Sequence, residues 1–264
     1  MNRSQRRAAV RAEVKAPPRP HVRIGIPSGL QWYAKFGMDL YRLTQDVLRN
    51  ATPGVGLVDL SVENVQGSTL WTQRSLLMEN AMKAGCSHLL FIDTDQTFPA
   101  VTLRKLLSHK KEVVACNIAV KQIPSFPTAR YAPVNGNKPV PVFTKPNSTG
   151  LEQVWRVGTG IMLIDLSIIP KLKPPWFKVS WGDDNDQYGE DWWFCSKVEE
   201  AGIPIWIDHD LSWEVGHLGM MEYQHFHIPK ELVVLTEQAA TDEAQDAQRT
   251  AMMRYDEAIR AKLS

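Results

Sequence analysis

The chain has 264 residues, 44% of them hydrophobic, and a formal net charge of +1. This length suits one large domain or two small ones with a substantial core, and the near-neutral charge argues against a global attraction to nucleic acid. No apolar stretch approaches membrane-spanning length, and no signal-peptide core is present. Cys86, Cys116 and Cys195 are odd in number and widely spaced, so they predict neither disulfides nor a zinc site, and we expect a cytoplasmic protein.

The first twenty residues differ in composition from the rest of the chain. Residues 1–20 hold six basic residues against one acidic residue, a local charge of +5, together with three prolines and few large apolar residues. This composition predicts a disordered basic arm. The arm is either a solvated tail or an electrostatic tether to an anionic partner such as nucleic acid.

Strand-like and helix-like stretches alternate through residues 22–120. Strands are predicted at 22–27, 55–65, 88–93 and 112–120, and helices at 38–50, about 70–84 and about 100–108. Ser68 or Thr69 can cap the second helix, and Gly85 closes it. This order predicts the α/β class, with an open, mixed and mainly parallel sheet covered by helices on both faces, as in Rossmann-like folds.

The second part of the chain differs from the first in amino-acid composition. Residues 121–150 are rich in proline and predict loops and edge strands, and residues 181–191 form an acidic loop. Further elements are predicted as strands at 154–166 and 203–211, a helix at 191–202, and C-terminal amphipathic helices at 230–264.

The segment "LLFIDTDQTFP" (89–99) ends an apolar strand with Asp93 and Asp95. The strand does not alternate in polarity, which predicts burial on both faces, as in a parallel sheet. In open α/β sheets, ligands bind beyond the carboxyl ends of the strands. Residues two apart in an extended segment point the same way, so these carboxylates could converge on Mg²⁺ or Mn²⁺, which could also bind a diphosphate. Alternatively, an aspartate here caps the next helix.

His217 in "SWEVGHLG" (212–219) follows a second candidate strand of the same sheet. It could complete the coordination begun by Asp95, because Mn²⁺ accepts imidazole, or it could be a structural histidine. A zinc hydrolase site built from His209, His217, His225 and His227 does not fit, because the spacings lack a helical His-x-x-x-His pair.

Glu190 and Asp191 open the predicted helix in "YGEDWWFCSKVEEAG" (188–202). Asp191 shares a helical face with Phe194, Cys195 and Val198, which predicts a carboxylate on the packed side, near the helix start. A carboxylate at a helix N-terminus is expected to stay ionised, which suits accepting a proton or a hydrogen bond. The alternative is simple helix capping.

Arg74 lies on an apolar helical face with Leu77, Met78 and Ala81. Its side chain could extend to solvent along that face, or it could reach over the sheet edge to a phosphate or a base. The spacing of residues does not choose between these two placements.

Taken together, four segments resemble the glycosyltransferase-A fold, specifically small family-2-like glycosyltransferases of bacteria and their phages. The segments are "RSLLMENAMKAGCSHLLFIDTDQTFP" (74–99), "VGTGIMLIDLSIIPKLKPPWF" (157–177), "YGEDWWFCSKVEEAGIPIWID" (188–208) and "VGHLG" (215–219). The resemblance spans about residues 22–220. Many relatives read Arg-Asn where this chain has Arg74 and Ser75.

The resemblance implies a nucleoside-diphosphate-sugar donor and a divalent metal, Mn²⁺ or Mg²⁺. Asp95 would bind the metal directly, Asp93 would contact the ribose or the metal's water, and His217 would be the late metal ligand. The acidic pair of Glu190 and Asp191 would face the acceptor. The loop after the first strand, Pro27 and Ser28, would contact the base, and Arg74 is a further candidate donor contact.

The resemblance also implies a division of the chain. Residues 1–20 are the basic arm, residues 21–228 the catalytic domain and residues 229–264 a C-terminal helical extension. Within the catalytic domain, residues 21–120 would bind the nucleotide sugar, and residues 121–228 would bind the acceptor. The resemblance implies a glycan acceptor, and the basic arm permits the alternative hypothesis that modified DNA is the acceptor.

Two other function classes stay open at this point. A nucleotidyltransferase on a similar sheet would also use Asp-x-Asp and a metal, but its phosphate loop is usually rich in Gly, Lys and Arg, and "IPSGLQWYAKFG" (26–37) has no such cluster. A non-catalytic sugar- or nucleotide-binding module would keep the fold without the chemistry.

Overall fold

The computed structural model describes the chain in three stretches, residues 19–133, 138–181 and 187–231. The predicted basic arm up to residue 18 and the predicted C-terminal extension from residue 232 lie outside the described residues. The acidic loop predicted at 181–191 is described only at its two ends.

A seven-stranded mixed sheet forms the centre of the molecule, in the order β2-β1-β3-β9-β5-β12-β8. Five strands run in the same direction, and β8 and β9 run against them. This confirms the predicted open, mixed and mainly parallel sheet. The strands are β1 (His21–Ser28), β2 (Asp59–Gln66), β3 (His88–Ile92), β5 (Val113–Ala115), β8 (Leu151–Val154), β9 (Ile161–Asp165) and β12 (Ile205–Asp208).

Helices cover both faces of this sheet, as predicted. Buried side chains of α2 and α4 pack on one face, and those of α1, α3 and α5 pack on the other. None of the helices in the described stretches is long and apolar enough to cross a membrane. The helices are α1 (Ala34–Arg49), α2 (Leu70–Lys83), α3 (Thr102–Ser108), α4 (Glu190–Glu200) and α5 (His209–Glu214).

Strand β3 is buried on both faces, as its sequence predicts. Leu89 and Phe91 belong to the core layer under α2 and α4, and Leu90 and Ile92 to the opposite layer; none of the four is exposed. Its two neighbours differ, because β1 pairs with it in parallel and β9 in antiparallel orientation. The parallel environment expected from the sequence therefore holds on one side only.

Smaller sheets lie outside the central one. The strands are β4 (Gln96–Thr97), β13 (Gly216–Leu218) and β14 (Glu222–Tyr223) in one sheet, and the pairs β6 (Arg130–Tyr131) with β7 (Val140–Pro141) and β10 (Ser180–Trp181) with β11 (Gln187–Tyr188). His217 lies on β13, which pairs with β4. The sequence placed His217 just after a strand of the central sheet, but α5 intervenes between that strand and β13.

Several predicted boundaries were wrong, and side chains account for two of them. The strand predicted at 112–120 ends at Ala115, because the Asn117 N–H donates to the Ser212 hydroxyl (2.8 Å) and leaves the strand pairing. The strand predicted at 203–211 ends at Asp208, whose carboxylate accepts the Leu211 N–H and caps α5.

Two further corrections concern the first half of the chain. The strand predicted at 55–65 begins only at Asp59, after a turn in which Thr52 and Gly56 are bonded to each other. Thr69 occupies the N-cap position of α2, but its hydroxyl donates to Thr72 and makes no capping bond to the helix backbone.

The double-sided burial of β3 gives a first prediction. We expect Leu90→Ala to lower the free energy of unfolding by about 2–5 kcal/mol, because a buried leucine loses its contacts and leaves a cavity. Leu48→Ala, at a position 62% exposed on α1, is the matched control and should change stability by about 0.5 kcal/mol or less. Urea unfolding followed by circular dichroism measures both, and equal effects would contradict the described core.

Candidate active site

The predicted site residues gather at one edge of the central sheet. Asp93 follows the carboxyl end of β3, Ser28 ends β1, and Glu190 begins α4. β13 carries His217 to the same edge, because its neighbour β4 starts three residues after Asp93. This is the edge at which open α/β sheets bind ligands.

Arg74 joins three elements at this edge through its buried guanidinium, which is 2% exposed. Its Nη2 lies 3.0 Å from both carboxylate oxygens of Asp93, and its Nε lies 3.3 Å from Glu190 Oε1. Its Nη1 is buried without a hydrogen-bond partner within the described stretches. The sequence offered solvent, or a phosphate or base of the donor, as the destination of this side chain. It does not extend to solvent, because the part-buried carboxylates of Asp93 and Glu190 bind it, and its contact with a phosphate or a base stays a prediction.

These ion pairs keep the guanidinium of Arg74 protonated. Burial alone would lower the pKa of the guanidinium, but Asp93 and Glu190 raise it above its ordinary value. Arg74 is therefore a fixed positive charge at the end of β3. Removing it would leave carboxylates buried without a partner, which costs far more than losing a surface ion pair.

Asp95 has a different set of partners. Lys121 Nζ lies 2.6 Å from its Oδ2, and the Gln96 side-chain amide donates to its Oδ1 at 3.2 Å. The sequence predicted that Asp93 and Asp95 would converge, as in an extended segment. Residues 93–95 instead form a turn, closed by a bond of 3.1 Å from Gln96 N to the carbonyl of Asp93, so the period-two rule does not apply.

Asp95 is strongly biased towards its ionised form. Burial alone would raise the pKa of this carboxyl, but the His217 imidazole and the Lys121 ammonium lower it well below its ordinary value. The carboxylate is thus charged at any physiological pH and remains partly accessible, with its side chain 23% exposed.

His217 presents one ring nitrogen to Asp95. Its Nδ1 donates to the carbonyl of Ala119 at 3.1 Å, a contact that assigns the proton to Nδ1 and leaves a lone pair on Nε2. Nε2 lies 3.4 Å from Asp95 Oδ2, longer than an ordinary hydrogen bond. In a neutral ring of this tautomer two acceptors face each other, and a cation between them would bind both; a protonated ring would instead donate its Nε2–H to Asp95.

This pair fits a divalent cation. Two ligands about 2.1 Å from one ion, at a right angle, lie about 3.0 Å apart, close to the observed separation. A metal-bound histidine commonly donates its other N–H to a backbone carbonyl, as His217 does to Ala119. In the described ranges, no three His, Cys, Asp or Glu side chains group to hold a metal. Water or substrate oxygens would therefore supply the remaining ligands.

Asp191 begins α4, as the sequence predicted, but its protonation differs from the expectation. Burial, and secondarily the charge of Glu190, raises the pKa of Asp191 to about 6, although a hydrogen bond from Trp192 N (2.7 Å) and the charge of Arg74 oppose the rise. The helix start does not keep this carboxyl at an ordinary acidity, because burial and neighbouring carboxylates outweigh the helix dipole. Asp191 therefore titrates near neutrality.

A cavity of about 280 Å³ opens beside Asp191. Its lining residues are Gln187, Tyr188, Gly189, Asp191 and Trp192. The rings of Tyr188 and Trp192 stack with a centroid distance of 5.8 Å. Gly189 makes room for the carboxylate, because a Cβ there would lie 2.7 Å from Asp191 Oδ1. The cavity combines an aromatic wall with one titratable carboxyl, a lining that suits a polar ring compound.

Ser28 lies at the expected place, but its polar groups are engaged. Its hydroxyl accepts a bond from Asn64 Nδ2 (2.7 Å), and its carbonyl accepts one from Gln73 Nε2 (3.1 Å). Pro27 pairs with Val65 in the sheet. The base contact predicted for Pro27 and Ser28 stays a prediction.

Sequence reasoning missed several residues at this edge. Lys121 carried no sequence signal, because it lies in a proline-rich segment with no periodicity. Gln73 could have been noticed as the neighbour of Arg74; its Oε1 is buried without a partner in the described part of the chain. Gly160 was not among the predicted site residues, yet a Cβ there would lie 3.4 Å from Asp93 Oδ2 and 2.9 Å from Ile118 Cδ1.

Comparison with known proteins gives fold-level likenesses. No protein-family model matches the chain, and no curated protein matches it. Among solved structures, A197 from STIV aligns over 76% of this chain and 86% of its own, with 14% identity and a TM-score of 0.48. At this level of identity and TM-score the two chains are only distantly similar in structure.

Two further solved structures are similar to this chain to a lesser degree. S. aureus TarS in complex with UDP-GlcNAc aligns over 72% of this chain and 55% of its own, with 12% identity and a TM-score of 0.35. A nucleoside-diphosphate-sugar pyrophosphorylase from Vibrio cholerae RC9 aligns over 71% of this chain and 91% of its own, with 10% identity and a TM-score of 0.38. No residue role follows from likenesses at this level.

The buried network of Arg74 gives a prediction about stability. We expect Arg74→Met to destabilise the protein by about 3–5 kcal/mol at pH 7.5, because Asp93 and Glu190 lose their shared partner. Adding Asp93→Asn should restore part of that loss, since one uncompensated charge disappears. Thermal or urea unfolding measures both variants.

The matched control for this experiment is Arg49→Met, at an exposed position in the last turn of α1. It removes the same charge and should change stability by about 0.5 kcal/mol or less. An Arg74→Met protein as stable as the wild type would contradict the described network.

Proposed function

We propose that this protein is a metal-dependent glycosyltransferase, which transfers a sugar from a nucleoside diphosphate sugar to an acceptor hydroxyl. The observation that carries the proposal is the approach of Asp95 Oδ2 and His217 Nε2 to 3.4 Å at the edge of the sheet where such folds bind ligands. The sequence resemblance to family-2-like glycosyltransferases supports the same assignment.

The charge of the site supports a need for a cation. Asp93, Asp95, Glu190 and Asp191 lie near the side chains of Arg74 and Lys121, and these six groups carry a formal charge of −2 when all are ionised and His217 is neutral. A nucleoside diphosphate is itself anionic and would be repelled. When bound at Asp95 and His217, Mn²⁺ or Mg²⁺ would supply positive charge beside the diphosphate leaving group.

The residues of this chain take distinct roles in the proposed reaction. Asp95 and His217 would hold the metal, and Arg74 would fix the carboxylates of Asp93 and Glu190 in place. Asp93 would then contact the donor rather than complete the metal set. Pro27 and Ser28 would border the base, as the resemblance implies.

Asp191 is the proposed general base. A carboxylate that titrates near pH 6 is well matched to accepting a proton from a hydroxyl near neutral pH. Asp191 would take the proton of the acceptor hydroxyl as its oxygen bonds to the anomeric carbon and the sugar–phosphate bond breaks. Tyr188 and Trp192 would position the acceptor ring. In a retaining enzyme the same groups would orient the substrates instead.

The acceptor is proposed only as a hydroxyl compound, a glycan or a nucleic acid. The basic arm, residues 1–20, joins β1 at the amino end of that strand, the edge opposite the candidate site. A tether function of the arm therefore stays a prediction separate from the chemistry of the site.

The role of Asp191 gives a prediction about pH dependence. We expect kcat to fall as pH drops through about 6, because the carboxyl becomes protonated and cannot accept the proton of the acceptor. Asp191→Asn should lower kcat by about 10²–10⁴-fold and remove this pH limb. Initial rates between pH 5 and 8.5 test both expectations, and an Asn variant with wild-type rates would contradict the base assignment.

Asp191→Asn, which should lower kcat, should also make the folded protein more stable at alkaline pH. The folded-state pKa of Asp191 lies above the unfolded value, so ionisation costs stability above about pH 6. Asp191→Asn should therefore be more stable than the wild type at pH 8, by about 2 kcal/mol, and similar to it at pH 4. Glu200→Gln, at the exposed far end of α4, is the control and should show neither effect.

Product analysis separates the proposal from its alternatives. Incubation with a panel of UDP-, GDP- and dTDP-sugars and Mn²⁺ should release the nucleoside diphosphate, and EDTA should abolish the release. Release of pyrophosphate would indicate a nucleotidyltransferase, and binding without turnover would indicate a binding module. Lys35, in the first turn of α1, pairs with Glu222 and does not form a phosphate-binding cluster.

His217→Ala should weaken Mn²⁺ binding by about tenfold or more, because one of the two protein ligands is lost. His88→Ala, at the amino end of β3, is the matched control and should bind Mn²⁺ as the wild type does. Titration of Mn²⁺ followed by electron paramagnetic resonance measures both. Equal affinities would contradict the metal site.

A further inference from the structure

Lys121 approaches the candidate metal pair from a segment that also supports His217. The carbonyl of Ala119 accepts the Nδ1–H of His217, and Lys121 follows two residues later. Its aliphatic stem passes Gly219, where a Cβ would lie 3.1 Å from Lys121 Cδ. The absence of a side chain at Gly219 thus leaves the space in which the lysine stem lies.

The ammonium of Lys121 and the proposed metal require the same atom. Lys121 Nζ lies 2.6 Å from Asp95 Oδ2, the same oxygen that His217 Nε2 faces at 3.4 Å. A dication bound to that oxygen would lie within a few ångströms of the ammonium. Two positive charges at such a distance repel each other strongly in a partly buried site.

We propose that Lys121 is an internal cation that competes with the metal for Asp95 and, once displaced, pairs with the diphosphate of the donor. The inference rests on the metal site of the proposed function. Without metal, the ammonium neutralises Asp95. With metal, it is released within reach of the position at which the metal's phosphate ligands would lie.

The side chain suits such an exchange. Lysine carries a compact charge on a flexible four-carbon stem, and this stem is 38% exposed, so its rotation costs little packing. Arg74 offers a contrast, because its guanidinium is buried and bonded to two carboxylates. The site therefore holds one fixed and one displaceable positive charge.

Lys121→Met tests the proposal, because it keeps the length of the stem and removes the charge. We expect it to bind Mn²⁺ alone about tenfold more tightly than the wild type. With saturating Mn²⁺, it should bind pyrophosphate, used as the probe for the donor diphosphate, about tenfold more weakly. Electron paramagnetic resonance measures the first effect and calorimetry the second. These opposite signs distinguish competition from a merely structural ion pair.

Two controls accompany this experiment on the full chain. Lys121→Arg retains a positive charge and should stay within about threefold of the wild type in Mn²⁺ affinity. Lys173→Met removes one positive charge from an exposed position elsewhere and should alter neither measurement. Thermal unfolding checks that all variants are folded.

Each outcome bears on the inference. Unchanged or weakened Mn²⁺ binding by Lys121→Met would overturn it while leaving the metal site intact. Failure of both wild type and variant to bind Mn²⁺ would overturn it together with the metal site. Opposite shifts in a protein that turns over no nucleotide sugar would support the competition and refute only glycosyl transfer.

Discussion

The buried guanidinium of Arg74 is the interaction on which the candidate site depends. It is held by Asp93, after a central strand, and by Glu190, at the start of a helix more than a hundred residues later. Neither carboxylate could be buried alone, and neither could the arginine. The ion pairs therefore fix how α2, β3 and α4 meet, and they hold Asp191 in the first turn of α4, where burial, and secondarily the charge of Glu190, raises its pKa. The chemistry proposed for Asp191 is a consequence of this local packing.

The core could be predicted from sequence because burial leaves a local pattern. The uninterrupted apolar run of β3 and the periodic helices around it indicated a covered sheet, and both faces are indeed covered. Prediction failed where one side chain redirects the backbone. The Ser212 hydroxyl accepts the N–H of Asn117. Asp208 caps a helix at a point where the sequence predicts that a strand continues to residue 211. Such bonds depend on partners that periodicity does not reveal.

The candidate site, like the fold, could be predicted from the sequence only in part. Its residue types were predictable, since acidic residues at strand and helix ends cluster at one edge of an α/β sheet. Their pairings were not, because the partners are far apart in the chain: Lys121 lies 26 residues from Asp95, and Glu190 lies 116 residues from Arg74. The turn after β3 also replaces the extended backbone on which the predicted alignment of Asp93 and Asp95 rested, and the two aspartates have different partners. Which carboxylate faces which cation is thus a property of the tertiary structure.

The strand order has a bearing on how the chain could be dissected. β9, from the second part of the chain, lies between β3 and β5, and β12 pairs with β5 on the other side. A fragment ending near residue 120 would lose the strand that joins its own β3 and β5. In that fragment, β3 and β5 would each present an open hydrogen-bonding edge and a bare apolar face, and such surfaces favour aggregation. Fragment complementation or module swapping at that point would begin from aggregation-prone pieces, and exchange of the whole central sheet with its helices is the workable route.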